Sequence, residues 1–175
     1  MATRSLTDRR ELEQHTFPLT VTLLVPFVAV VLQALLPRFL HWTAILDLPL
    51  IATIFFSVGR RSPVRGTLTG ALIGCAQDAL TGQPIGVNGI AKSIIGYIAA
   101  SIGVAVDVDH VLTRTAMNFL FVLLQSVLLW LIEHRLLGMD TGRILWVHEL
   151  WRAVFNMLVA VPIFYLLDRT RVPEQ

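Results

Sequence analysis

Residues 66–101 read GTLTGALIGCAQDALTGQPIGVNGIAKSIIGYIAAS, two apolar runs joined by a short glycine turn. Gly66, Gly70, Gly74 and Asp78 fall four apart in the first run. Residues four apart lie on one face of an α-helix, so that face reads small, small, small, acid. Small residues let a second helix approach closely in lipid. An acid at that depth costs about 3 kcal/mol on insertion scales unless something neutralises it. The second run carries Lys92, the only lysine of the chain, on a face shared with Gly89, Gly96, Ala99 and Gly103. That face turns the lysine toward protein rather than lipid. The two runs predict a polytopic membrane protein whose helices meet along these stripes.

Composition extends the reading to the whole chain. Hydrophobic residues make up 55% of the 175 residues and charged residues 15%. Soluble domains average about 45–50% and about 25%. A net charge of +2, with no basic stripe interleaved with aromatics, excludes a nucleic-acid partner. Cys75 is the only cysteine, so an internal disulfide is impossible. The polar, mixed-charge start MATRSLTDRRELEQH lacks a clear small-residue cleavage site after the first apolar run, which is therefore read as a retained span.

Six apolar segments can be drawn, at 17–36, 43–58, 63–80, 87–106, 113–132 and 150–167. An 18-residue helix covers roughly 27 Å, close to the hydrocarbon thickness. The second and third segments are short but adequate, with a re-entrant hairpin in place of either as the main alternative. Ser62 followed by Pro63 is a good helix start. The expected organisation is an all-α bundle of about six transmembrane helices over 17–168, with a cytoplasmic N-terminal segment at 1–16 and a cytoplasmic tail at 169–175. A cytoplasmic N-terminus puts nine arginines inside (4, 9, 10, 60, 61, 65, 114, 169 and 171) against four outside (38, 135, 143 and 152). The positive-inside rule favours that orientation. Trp42, Trp130, Trp146 and Trp151 then all map to the outer interface, as an aromatic belt. The stretch 143–151 is either a short helix on that interface, with His148 and Glu149 toward water, or an ordered loop.

Asp47, Asp78, Lys92, Glu133 and Arg152 lie toward the outer ends of their segments, with Gln33, Gln77 and Asn156 at similar depth. Such clustering implies a polar pocket open to the outside or a satisfied network between helices. Glu133 and Arg152 read as interfacial residues that reach water, and Asp47 as a residue able to snorkel. Asp78 and Lys92 are expected to interact, directly or through water. Catalysis finds little support. His15, His41, His110, His134 and His148 are scattered, and no HExxH, cysteine pair or nucleophile elbow is present. No cofactor and no metal are expected. The turn 81–86 is not a phosphate loop, because no GKS or GKT follows.

At 66–101 the pattern resembles the rod shape-determining MreD family. A glycine-rich span ends in an acid, a glycine turn follows, then Ile-Gly and a span with Gly-Tyr: here Gly70, Gly74, Asp78, Gly82, Ile85, Gly86, Gly96 and Tyr97. LDLPLIATIFFSVGRRSP, residues 46–63, also looks like MreD. The resemblance covers 46–101 well and the rest by hydropathy. It implies a non-enzymatic scaffold of the bacterial elongation machinery in the inner membrane. Its partners would be MreC, RodA, the elongation-specific penicillin-binding transpeptidase, the MreB filament and membrane lipids. It also implies a helical fold similar to the substrate-binding subunits of energy-coupling-factor vitamin transporters, which sets the alternative function. Those subunits dock through an AxxxA spacing in the first span, whereas Ala29 and Ala34 here are five apart. A proton-coupled transporter using Asp78 and Lys92 is a third reading, and it would need polar groups in the inner half.

Overall fold

The computed structural model describes residues 18–105, 111–138 and 145–170. The expected N-terminal segment at 1–16, the arginines 4, 9, 10, 143 and 171, His15, His110 and most of the tail lie outside the described residues. Among the described residues six α-helices follow one another: α1 (Leu19–Phe39), α2 (Leu48–Arg60), α3 (Pro63–Thr81), α4 (Val87–Ala105), α5 (Val111–Leu131) and α6 (Trp146–Asp168). A 3-10 turn at His41–Ile45 precedes α2, and a π-helical turn at Ile132–Leu136 continues α5. No strand occurs among the described residues, so the all-helical expectation holds. Among the described residues five stretches are long and apolar enough to cross a membrane: Leu19–Phe39, His41–Arg60, Val87–Ala105, Leu112–Leu136 and Trp146–Asp168. The sixth helix, α3, falls short because Arg65, Gln77, Asp78, three glycines and its threonines dilute the apolar residues.

α2 forms the centre. Residues 49–59 are all buried, and Leu50, Ile51, Ile54, Phe55, Phe56 and Val58 form the core with Ile95, Ala99, Phe121, Val122 and Phe164. Phe55 stacks on Phe164 at 5.9 Å between centroids and meets Phe56 edge-on at 5.4 Å. α1 is the outlying helix, with only Ala29 and Val30 buried and Leu19, Leu23, Leu24 and Phe27 exposed. An exposed leucine needs no protein partner where the surrounding solvent is hydrocarbon.

α3 and α4 run antiparallel with their glycine faces together. A Cβ added at Gly66 would overlap the carbonyl oxygen of Gly96, and one at Gly70 that of Lys92. One at Gly74 would lie 2.5 Å from the carbonyl carbon of Asn88. Three glycines at four-residue spacing thus let backbone meet backbone over most of both helices. Gly89 faces Cys75, where an added Cβ would lie 2.6 Å from Sγ. Gly103 abuts α2 instead, where a Cβ would lie 2.7 Å from the carbonyl oxygen of Val58.

Two segments depart from the sequence expectation. The second segment is not one helix from 43 to 58. Pro49 has no N–H and its ring would collide with the carbonyl four residues back, so an α-helix must begin at its own first turn. The chain therefore enters as a 3-10 turn, becomes extended at Leu46, and starts α2 at Leu48. The sixth segment starts earlier than 150. α6 runs unbroken from Trp146, so over its described part the stretch 143–151 is neither a separate interfacial helix nor a loop. Residues 143 and 144 lie outside the described residues.

Candidate functional site

One end of the bundle gathers the end of α1, the 41–48 segment, the α3–α4 turn, the end of α5 and the start of α6. This polar end holds all the ionisable and amide residues singled out above. The break before α2 leaves backbone groups without helical partners, and buried backbone must be satisfied from within the protein. Two amide side chains do this. Gln33 of α1 donates through Nε2 to the Leu46 carbonyl at 2.9 Å and accepts from the Leu48 N–H at 3.1 Å. Asn156 of α6 accepts from the Asp47 N–H at 2.7 Å and donates to the Ile45 carbonyl at 3.0 Å. Asp47 caps α2, with Oδ1 accepting from the Leu50 N–H at 2.9 Å.

Lys92 reaches this junction from α4 and is fully buried. Its three donors find three acceptors: Asp47 Oδ2 at 3.1 Å, Asn88 Oδ1 at 3.1 Å and Gln125 Oε1 at 3.3 Å. Gln125 also donates to Asp47 Oδ2 in a very short contact. Arg152 places Nη2 3.7 Å from the same carboxylate and Nη1 3.5 Å from Glu149. Glu149 accepts from the Ser126 hydroxyl as well. Two acids and two bases thus neutralise each other across the starts of α2, α4 and α6, with Gln125 and Ser126 of α5 bonded to the two acids.

This arrangement corrects four expectations. Lys92 pairs with Asp47, not with Asp78. Asp47 does not snorkel; it is 2% exposed. Glu149 does not face water but lies against Ser126 and Arg152, while His148 is exposed. Arg152 is only 20% exposed and belongs to the network. Asp78 is fully buried and serves the turn. Its carboxylate accepts from the N–H groups of Gly86 at 2.8 Å, Asn88 at 3.1 Å and Gly89 at 3.3 Å, and from Asn88 Nδ2 at 2.8 Å. These are the orphan donors of the α4 N-terminus, where negative charge is also favoured by the helix dipole. Asn88 is the link between the two groups, donating to Asp78 and accepting from Lys92.

Asn88 and Gln125 escaped the sequence reading. Asn88 carried a signal, since it opens a helix directly after a glycine turn that follows an acid. Gln125 carried none, because a glutamine inside an apolar run says nothing about which helix it faces. The tryptophans lie at this same end. Trp42, Trp146 and Trp151 are exposed, and Trp130 is half-buried and stacked on His134 at 5.1 Å.

A cavity of about 470 Å³ opens among these groups. Gln33 and Arg38 of α1, Gln77 of α3, Glu133 and Arg152 line it, together with Asp47. The opposite end is simpler. Arg114 pairs with Asp168 at 2.7 Å, and Arg60 donates to Thr22 at 3.0 Å and lies 5.8 Å from the Phe56 ring centroid. Between the two ends, Asn118 and Ser57 are buried with side-chain atoms that make no hydrogen bond. No group of three or more histidines, cysteines or acids among the described residues is placed to hold a metal ion.

A helical bundle with membrane-length apolar helices, a charge-balanced polar end and a tight glycine seam defines a polytopic membrane protein held together by internal packing and ion pairing. The family model described as rod shape-determining protein MreD matches residues 13–170, and the chain belongs to that family. No curated protein and no solved structure matches the chain. The family is one of rod-shape determinants.

Proposed function

We propose that this chain is a non-enzymatic scaffold of the elongation machinery in the bacterial inner membrane. In this reading it helps MreC and the RodA–transpeptidase pair direct lateral peptidoglycan synthesis, in register with MreB, and so maintains rod shape. The observation that carries it is the family match over residues 13–170. The internal pairing of the buried charges supports it, since Asp47, Lys92, Arg152 and Glu149 are engaged with one another rather than poised for chemistry. Depletion in the host should round the cells and disperse lateral wall synthesis. Tagged chain purified in mild detergent should bring down MreC and the transpeptidase. Rod shape retained after complete depletion would overturn the reading.

One observation favours a second reading, the substrate-binding subunit of a vitamin transporter. The cavity of about 470 Å³ has the size of a small-molecule site. Against it, Ala29 is buried and Ala34 lines the cavity, so neither belongs to an outward docking face. An ATPase module in the purified complex, with loss of uptake of one vitamin on depletion, would select this second reading.

A further inference from the structure

We propose that the cavity at the polar end binds a zwitterionic head made of a phosphate and a primary ammonium, the chemistry of phosphoethanolamine. The site is built rather than incidental. Gln77 is 7% exposed, yet its Oε1 has no donor. Arg152 has both terminal nitrogens committed to Asp47 and Glu149, while its buried Nε has no acceptor. A native fold rarely leaves such atoms unmatched unless water or a ligand completes them. Here one orphan asks for a donor and the other for an acceptor, and both belong to residues that line one cavity, just beneath its wall.

The charges lining the cavity ask for the same pair. Arg38 sits exposed at the mouth and Glu133 is half-buried, and neither forms an ion pair with another described residue. Asp47 and Arg152 also line the wall but are engaged with each other, Lys92 and Glu149, so the charges left for a ligand are one of each sign. A purely anionic ligand would meet Glu133 unpaired, and a purely cationic one Arg38. A zwitterion presents its phosphate to Arg38 and its ammonium to Glu133, with the Arg152 Nε and Gln77 Oε1 behind them to complete the set once the side chains turn toward the ligand. Guanidinium groups favour phosphate through directed hydrogen bonds. The position also fits, since the exposed Trp42 and Trp151 set this end at the depth of lipid headgroups. The head can arrive in two ways: on a bilayer lipid, phosphatidylethanolamine, entering from the side, or as free glycerophosphoethanolamine from the aqueous phase.

The full-length chain, purified in mild detergent, is tested by native mass spectrometry with equimolar phosphatidylethanolamine, phosphatidylcholine and phosphatidylglycerol. Free glycerophosphoethanolamine is tested by the shift in melting temperature. The choline head cannot donate a hydrogen bond to Glu133, so phosphatidylethanolamine should be retained about tenfold over phosphatidylcholine, the scale of one charge-assisted contact. Glu133→Gln should erase that preference while leaving the chromatographic profile unchanged, and Arg38→Ala should weaken both lipids. A lipid preference that Glu133→Gln removes supports the bilayer source. A melting shift with glycerophosphoethanolamine, lost in Glu133→Gln and without lipid preference, supports the free source. Equal retention of all three lipids with no melting shift, or a preference unchanged in both variants, overturns the proposal and leaves the orphan atoms to water.

Discussion

Lys92 shows how a buried cation is made tolerable. Its ammonium has three acceptors within 3.3 Å and one of them is a carboxylate. Removing one member of a buried pair leaves an uncompensated charge and costs about 3–5 kcal/mol, whereas removing both can be close to neutral. Asp47→Asn and Lys92→Met should therefore each lower the yield of folded protein, and the double variant should recover much of it. A double-mutant cycle in detergent unfolding checks this, with coupling expected between Asp47 and Lys92 and little between Asp78 and Lys92. Asp78→Asn should act on another observable. The carboxylate holds the N–H groups of Gly86, Asn88 and Gly89. Amide hydrogen exchange at those positions should accelerate in the variant, with the Lys92 network intact. Depth along the helices was legible from hydropathy, and it brought Asp47, Asp78 and Lys92 to one end. Pairing was not legible. Asp78 and Lys92 are near in sequence, while Asp47 meets Lys92 only because α2 is packed at the centre, and no local pattern states that.

At the scale of the element, the α3–α4 seam follows from spacing alone. Gly66, Gly70 and Gly74 recur every four residues, and the face they make is the face that α4 covers. A leucine at Gly70 would drive atoms into the Lys92 backbone, so the helices must separate. Membrane helix contacts are modest in energy, and Gly70→Leu should cost ~1–2 kcal/mol in detergent unfolding. Leu68→Phe, on the exposed side of α3, should change little. Thr69 is a poorer control than its position on the helix suggests, because it accepts from Arg60 at 3.4 Å. The Ser62-Pro63 start of α3 could be read directly, since proline at a first helical position is a local rule. The late start of α2 follows the same rule at Pro49, but it is masked by apolar residues on both sides that hydropathy joins into one segment. The clamps from Gln33 and Asn156 that make this break affordable in a membrane come from α1 and α6, over a hundred residues apart.

At the scale of the molecule the open question is how many helices cross. Composition admits five, and α3 is the exception. Its partner supplies the argument for a sixth. α3 lies antiparallel against α4 from Gly66 beside Gly96 to Gly74 beside Asn88, and α4 is among the five. A helix bound backbone to backbone along a spanning neighbour shares its depth, and at 1.5 Å per residue its 19 residues extend roughly 28 Å. Its polar residues are placed to allow this: Asp78 and Gln77 are buried at the polar end, and Arg65 is in the first turn at the opposite end. Six crossings are the expected outcome, and they would put the start of α1 and the end of α6 on one side. The described arginines favour the cytoplasm for that side, with Arg60, Arg61, Arg65, Arg114 and Arg169 there against Arg38, Arg135 and Arg152 at the polar end. Reporter fusions truncated after Arg61 and after Gly82 should report opposite sides, the first cytoplasmic, and a fusion after Gly138 should agree with the one after Gly82. If the reporters after Arg61 and Gly82 share a side, α3 is re-entrant, and the glycine seam packs a hairpin rather than two spans.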